Sequence, residues 1–371
     1  MLLMVGRFFI LCSVALACVA SQMAHSAETF PNWNDILTAA RKEGRVAVAG
    51  PPIKAHRETL EKFQDAYPDI RLELSGLAPD QYEPRVAAER QAGRFLWDVH
   101  VGGISTSVYT QQLAKGWYRP LSPLVRPEIA ADQNWIGGFA SGFLDLEGRH
   151  AFAFNANKSD NIVVNRNIIP ASEFNSLKDL MNPRWKGKIA LYDPRVRGPG
   201  TPPLAQIYKV MGEESLRRFL TDQEPALTRT PRQLVEWVVR GRYPIGIGIN
   251  ASSISAMMPE APQLAVGVEQ FSVPPEATLL TPAWGGLLAL ANPPHPNAAV
   301  VFINWLLDRQ AQADWAQRSG YNSRRTDIPT GNQETSVTAQ EWRNGLSLNR
   351  EDSAKLRAQV DAIAEAALAG R

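Results

Sequence analysis

Gly44-Arg45-Val46-Ala47-Val48-Ala49-Gly50 is the stretch on which the fold turns. The apolar run is short, carries β-branched residues and is closed at both ends by glycine, which predicts a strand and not a helical turn. Just before it, Trp33 to Lys42 has helical spacing and stops at Gly44. Just after it, Lys54 to Tyr67 predicts a second helix, with Leu60, Phe63 and Tyr67 on one face and Pro68 as the stop. A short strand between two helices is the mark of α/β layering. The pattern continues outward. Ile70 to Leu74 alternates as a strand, Pro84 to Gly93 is a polar helix, and Trp97 to Val101 is a strand running into Gly102-Gly103. Ser105 or Ser107 can then cap a helix reaching Lys115. Three strand-to-helix turns therefore fall early in the chain, and in open parallel sheets such turns lie at the ligand-binding edge.

Further along, Ala151 to Phe154 and Ile162 to Asn165 predict strands on either side of a polar stretch, a crossing between two halves of the molecule. Asn175 to Asn182 is a short helix. Gly187 to Tyr192 is a strand of buried type, and Pro202 to Met211, Glu213 to Leu220 and Gln233 to Val239 are helical. Ile245 to Ile249 is a strand, and Leu287 to Leu290 is a returning strand after Trp284-Gly285-Gly286. Asn297 to Leu307, Gln310 to Ser319 and Arg350 to Leu368 close the chain as helices. Pro202-Pro203, Pro274-Pro275 and Pro293-Pro294 are turns and not linkers.

The chain has 371 residues, 44% of them hydrophobic, with 39 Lys+Arg against 37 Asp+Glu. This length suits two domains, and the apolar fraction excludes wholesale disorder. A net charge of +2 gives no basic footprint for nucleic acid. Both cysteines, Cys12 and Cys18, lie near the N-terminus, where Arg7 precedes an uncharged run from Phe8 to Ala20 and small residues follow to Ala27. That order reads as a secretory signal peptide spanning 1–27, too short for the ~20 apolar residues of a membrane span. Ala20 and Ala24 are alternative cleavage points. Ala15-Leu16-Ala17-Cys18 faintly resembles a lipoprotein signal. Cleavage after Ala27 removes Arg7 and both cysteines, so the exported protein would rely on core packing and not on disulfides.

Enzyme templates fail in turn. None of the five histidines precedes a Glu, so H-E-x-x-H is absent, and no G-x-S-x-G elbow, Walker loop or Cys nucleophile occurs. What remains is a set of Gly-, Ser-, Thr- and Pro-rich loops after strands. The richest runs from Tyr192 to Thr201 and sets Arg195 and Arg197 beside Gly198-Pro199-Gly200-Thr201, at the start of a helix. Helix-start N–H groups favour an anion, and a guanidinium adds a bidentate grip. The plainer alternative is an arginine paired with a surface acid beside an ordinary turn. Trp284 is placed either to stack on a ligand or to pack a hinge. Arg324-Arg325 reads as a helix cap or hinge anchor.

The order of several segments resembles the periplasmic solute-binding proteins of ATP-driven importers, in the branch that contains the ferric-ion binders. The matching pieces are Ala39-Ala40-Arg41-Lys42-Glu43-Gly44, Phe63-Gln64-Asp65-Ala66-Tyr67-Pro68, and Glu89-Arg90-Gln91-Ala92-Gly93 before Trp97-Asp98-Val99. Trp185-Lys186-Gly187-Lys188-Ile189-Ala190, Pro296-Asn297-Ala298-Ala299 and Gly320-Tyr321-Asn322-Ser323-Arg324 complete the set, from about Trp33 to Asp327. The resemblance implies an α/β, two-lobe periplasmic-binding-protein fold of type II, each lobe a mostly parallel sheet flanked by helices and joined by crossing strands. The expected division is lobe 1 over 28–153 plus 283–325 and lobe 2 over 154–282 plus 326–371.

The ferric-ion branch holds its metal with a His and a Glu on first-lobe loops and two adjacent tyrosines after a second-lobe strand. By position these fall near Pro52 and Gly103 and on Ala251 and Ser252, none of which supplies an anionic oxygen or an imidazole. Iron held through that set is therefore not expected. The branch's anion site matches Gly198 to Thr201 and the neighbourhood of Asn250, which keep polar character. The expected function is thus capture of a small organic anion (carboxylate, phosphonate or sugar phosphate) between two lobes for an inner-membrane permease. A metal or ferric-complex binder and a secreted hydrolase or transferase stand as alternatives. The candidate ligand-binding residues are Pro52, Gly103, Ser105, Arg195, Arg197, Gly198, Gly200, Thr201, Asn250, Ser252 and Trp284. A periplasmic monomer, without catalytic residues, cofactor or nucleic-acid partner, is expected.

Overall fold

A computed structural model of the chain describes residues 30–196, 198–249, 254, 262–271 and 278–370. Helix Trp33–Glu43 starts where the Asn32 side chain accepts a hydrogen bond from the Asn34 amide. It stops where Gly44 turns left-handed at φ 69°, a cap glycine makes without steric cost. Strand β1 (Arg45–Gly50) follows, with every residue after Arg45 buried. That is the signature of a strand covered on both faces. Strands β2 (Arg71–Gly76) and β3 (Val99–Gly102) lie parallel to it on either side. The late strand β13 (Gly286–Leu290) returns antiparallel to β3, pairing Leu288 with His100, and also pairs with β4 (Tyr118–Arg119) and β5 (Phe152–Ala153). The order is β2-β1-β3-β13-β4, with β5 on β13.

The second sheet is built from β7 (Ile162–Asn165), β8 (Ile189–Tyr192), β9 (Ala226–Thr228), β10 (Ile245–Ile247) and β11 (Val268–Gln270), in the order β11-β7-β10-β8-β9. Strand β8 is parallel to both β9 and β10, while β7 is antiparallel to β10 and β11. Both sheets thus have the expected parallel centre but are mixed overall. Strands that arrive from the other lobe, such as β13, need no helical crossover and can enter antiparallel. A two-stranded link of β6 (Asn157–Lys158) and β12 (Leu280–Thr281) joins the halves. Each sheet has its own core, one around Val48, Phe63, Val101 and Phe302 and the other around Val164, Leu191, Phe219 and Ile363.

Some local expectations shift. The predicted helix from Lys54 to Tyr67 divides into Lys54–Glu61 and Phe63–Ala66. The two predicted helices after Pro202 form one element, Thr201–Asp222, bent at Gly212 (φ 83°, ψ 173°). Ser105 and Ser107 do not cap. The segment that follows, Val108–Gln112, is π-helical without a side-chain cap bond, because both hydroxyls are used elsewhere. Arg324 and Arg325 are anchors. Arg324 donates to the carbonyls of Ile136, Gly138 and Ala153, and Arg325 donates to the Leu307 carbonyl at the end of helix Pro296–Leu307. Among the described residues no helix is long and apolar enough to cross a membrane.

Candidate functional site

The loop leaving β3 forms one wall of a cleft of about 640 Å³. On it, Ser105 Oγ donates to Glu83 Oε1 at 2.6 Å and lies 2.6 Å from Ser107 Oγ, to which Gln112 Nε2 donates at 3.0 Å. The loop is tied to a connecting segment as well. Asn349 Nδ2 donates to the Ile104 carbonyl at 2.9 Å, and the Tyr109 hydroxyl donates to the Asn349 carbonyl at 2.5 Å. Gly103, Ser105, Glu83 and Asn349 therefore sit on a wall held rigid by its own hydrogen bonds.

The opposite wall is the loop leaving β8, backed by helix Ala354–Ala367. Arg357, Asp361 and Glu365 face the cleft from that helix, at a four-residue spacing that places them on one stripe. Thr201 Oγ1 donates to Asp361 Oδ1 at 2.9 Å, so the two elements are locked together. Asp193 lies beneath the loop and is 2% exposed. It accepts from Arg195 Nε at 2.9 Å and Nη2 at 3.0 Å, from the Arg195 amide at 3.1 Å and from Arg229 Nε at 3.0 Å. Burial pushes this carboxyl upward, but the Arg195 and Arg229 hydrogen bonds outweigh it and hold the pKa at about 2. Arg195 Nη1 also donates to the Leu368 carbonyl at 2.9 Å, capping the C-terminal end of helix Ala354–Ala367.

Of the residues expected at the site, Gly103 and Ser105 on one wall meet Arg195, Gly198 and Thr201 on the other. The anion grip expected of Arg195 is largely pre-empted, because its guanidinium is committed to Asp193 and Leu368. The helix start is weaker than the sequence suggested. Pro202 and Pro203 have no N–H, which removes two of the first helical donors. Gly200 does not line the cleft. A Cβ there would collide with the Tyr192 carbonyl, so this glycine serves close packing. Pro52 lies against Gly76 and Trp284 packs beside His56, and neither lines the cleft. Arg197, Asn250, Ala251 and Ser252 lie outside the described residues.

Sequence reasoning missed Glu83, Asn349, Arg357, Asp361 and Glu365. The charged stripe at 357, 361 and 365 was legible as a pattern. Its direction was not. These residues change the electrostatics: among the described residues, three carboxylates line the cleft against Arg357 and the already paired Arg195. Among the described residues no three His, Cys, Asp or Glu side chains are grouped to hold a metal ion.

The family profile of bacterial extracellular solute-binding proteins matches residues 129–322. A sequence search of curated proteins finds no match. Among solved structures, a Trichodesmium protein (IdiA, or FutA) in complex with iron and citrate superposes with a TM-score of 0.66 at 16% identity, covering 88% of this chain and 99% of that one. Iron-bound HitA from Pseudomonas aeruginosa gives 0.59 at 16% identity, over 85% and 99% of the two chains. A Bordetella ferric binding protein gives 0.63 at 16%, over 87% and 98%. At such identity the likeness is one of fold: two α/β lobes with a cleft between them.

Proposed function

Because the chain belongs to the bacterial extracellular solute-binding proteins, we propose that it captures a small polar solute between its lobes in the periplasm and delivers it to an inner-membrane ATP-driven permease. The observation that carries this reading is the cleft of about 640 Å³, whose walls come from the β3 and β8 loops of the two different sheets. A solute touching both walls favours the closed arrangement by its differential affinity for it. Binding alone is the task, with no covalent step.

The wall chemistry favours a solute with a cationic centre, and a chelated metal suits it best. Glu83, Asp361 and Glu365 offer carboxylates, while Arg357, Thr106 and Asn349 can meet the oxygens of a chelator. The iron and citrate named for the Trichodesmium protein and the iron of HitA support this class over the bare organic anion. One observation still favours the organic anion: Gly198 and the start of helix Thr201–Asp222 open on the cleft.

Tryptophan-fluorescence titration of the mature protein with ferric citrate, and with citrate alone, separates the two readings. Saturable binding of ferric citrate, weakened at least about tenfold when iron is withheld, is the expected result. Equal affinity for citrate alone would replace the metal-complex reading with the anion reading. Chemical conversion of the bound solute would replace both with an enzyme.

A further inference from the structure

The segment Leu346–Arg350 divides two cavities. Leu348 and Asn349 line the cleft described above, whereas Leu346, Ser347 and Arg350 line a second cavity of about 460 Å³. Its walls also come from both halves of the molecule. Ser141 and Leu144 belong to the first, and Lys209 belongs to helix Thr201–Asp222 of the second. Arg343 and Asn344, at the end of helix Ala339–Asn344, complete one side, with Asp352 and Ser353 beside them.

The two cavities have opposite electrostatic character. Among the described residues the second is lined by Lys209, Arg343 and Arg350 against a single carboxylate, Asp352, which lies 3.5 Å from Arg350. Lys209 and Arg343 make no ion pair among the described residues. A fourth cation stands behind this wall. Arg324 is fully buried, and its guanidinium donates to Ser141 Oγ at 2.8 Å and to backbone carbonyls, with no carboxylate among these partners. Its guanidinium carbon lies 4.7 Å from the centroid of Trp342, and Trp342 Nε1 donates to the same Ser141 Oγ at 2.9 Å. Burial, with a smaller contribution from Arg350, lowers the Arg324 pKa to about 9, which leaves it charged at neutral pH. Its uncompensated charge adds to the positive field of the cavity, where low dielectric strengthens it.

We propose that this cavity is a second ligand site, taking a small multivalent oxyanion between Lys209, Arg343 and Arg350. Ammonium and guanidinium groups together suit phosphate-type oxygens, the guanidinium through paired donors and the ammonium as a point charge. Ser347 and Asn344 add neutral polar groups. An anion held there bridges the two lobes. The site uses no residue on which the metal-complex reading of the cleft rests, so each proposal can fail alone.

The test is isothermal titration of the mature protein with inorganic phosphate and with pyrophosphate, in chloride buffer of matched ionic strength. The expected result is saturable one-to-one binding, tighter for pyrophosphate. The paired change Lys209→Ala and Arg343→Ala, both at exposed positions, should weaken it at least about tenfold. A Glu83→Gln change in the cleft should leave it in place. The proposal is overturned by an absence of saturable heat with both anions. An unchanged affinity in the paired variant, or an equal loss in the Glu83→Gln variant, overturns it too.

Discussion

Replacing Arg195 by Ala asks whether this side chain belongs to the ligand or to the fold. The loop read as sequence predicts weaker ligand binding with intact folding. The structure predicts the reverse. Arg195 gives two hydrogen bonds to the Asp193 carboxylate, at 2.9 and 3.0 Å, and one to the Leu368 carbonyl at 2.9 Å. Removing one partner of a buried ion pair costs about 3–5 kcal/mol. Here Arg229 still reaches Asp193 at 3.0 Å, although its own side chain is 64% exposed. The expected loss is therefore smaller, about 2–3 kcal/mol. Urea unfolding followed by tryptophan fluorescence at pH 7 measures it, and pH supplies a second check. Asp193 is held at about 2 in the fold against an ordinary 3.8. Its ionised form thus stabilises the fold fully above the ordinary value, and that contribution is lost as pH falls toward the folded one. The gap between parent and variant should close over the same range. An Arg195→Ala protein as stable as the parent at pH 7, but with weakened solute binding, would refute this reasoning and restore the anion grip.

Three further outcomes follow from the same structure. His56 is 2% exposed, with neither ring nitrogen partnered among the described residues, and burial lowers its pKa from 6.5 to about 4. The unfolded chain therefore takes up a proton that the fold refuses, and stability should fall as pH drops from about 6.5 toward 4, by up to about 3 kcal/mol. His56→Leu should flatten that slope in urea titrations, leaving the part due to His100, which burial also lowers to about 4. Gly212→Ala meets no crowding, but φ 83° and ψ 173° suit only glycine, so thermal unfolding should register a loss of about 1–3 kcal/mol. Protein exported and cleaved after Ala27 should contain no titratable thiol; recovery of a lipid-modified Cys18 would show the other kind of signal.

Much of the fold was legible because its signals are local. Gly44 stops a helix and Val46 to Ala49 make a short buried strand, each through conformational preferences acting within a few residues. The loops after β3 and β8 were legible for the same reason, since a strand running into a glycine-rich turn is a short-range pattern, and both line the cleft. The ordered family segments from Trp33 to Asp327 extended this to two lobes.

What the cleft offers a ligand was decided elsewhere in the chain. Asp193 and Arg195 are two residues apart, yet whether that guanidinium turns outward or folds back depends on the Leu368 carbonyl, brought there by a helix packed against Thr201–Asp222. The same packing turns Asp361 and Glu365 into the cleft opposite Glu83, setting carboxylates among the described lining residues where loop chemistry alone shows only arginines. Strand β13 likewise enters beside β3 from nearly two hundred residues away. Helix and turn propensities reach only a turn or two along the backbone, so sequence determines where walls form. The direction a charged side chain faces is a balance of desolvation and long-range partners, and only the packed chain sets it.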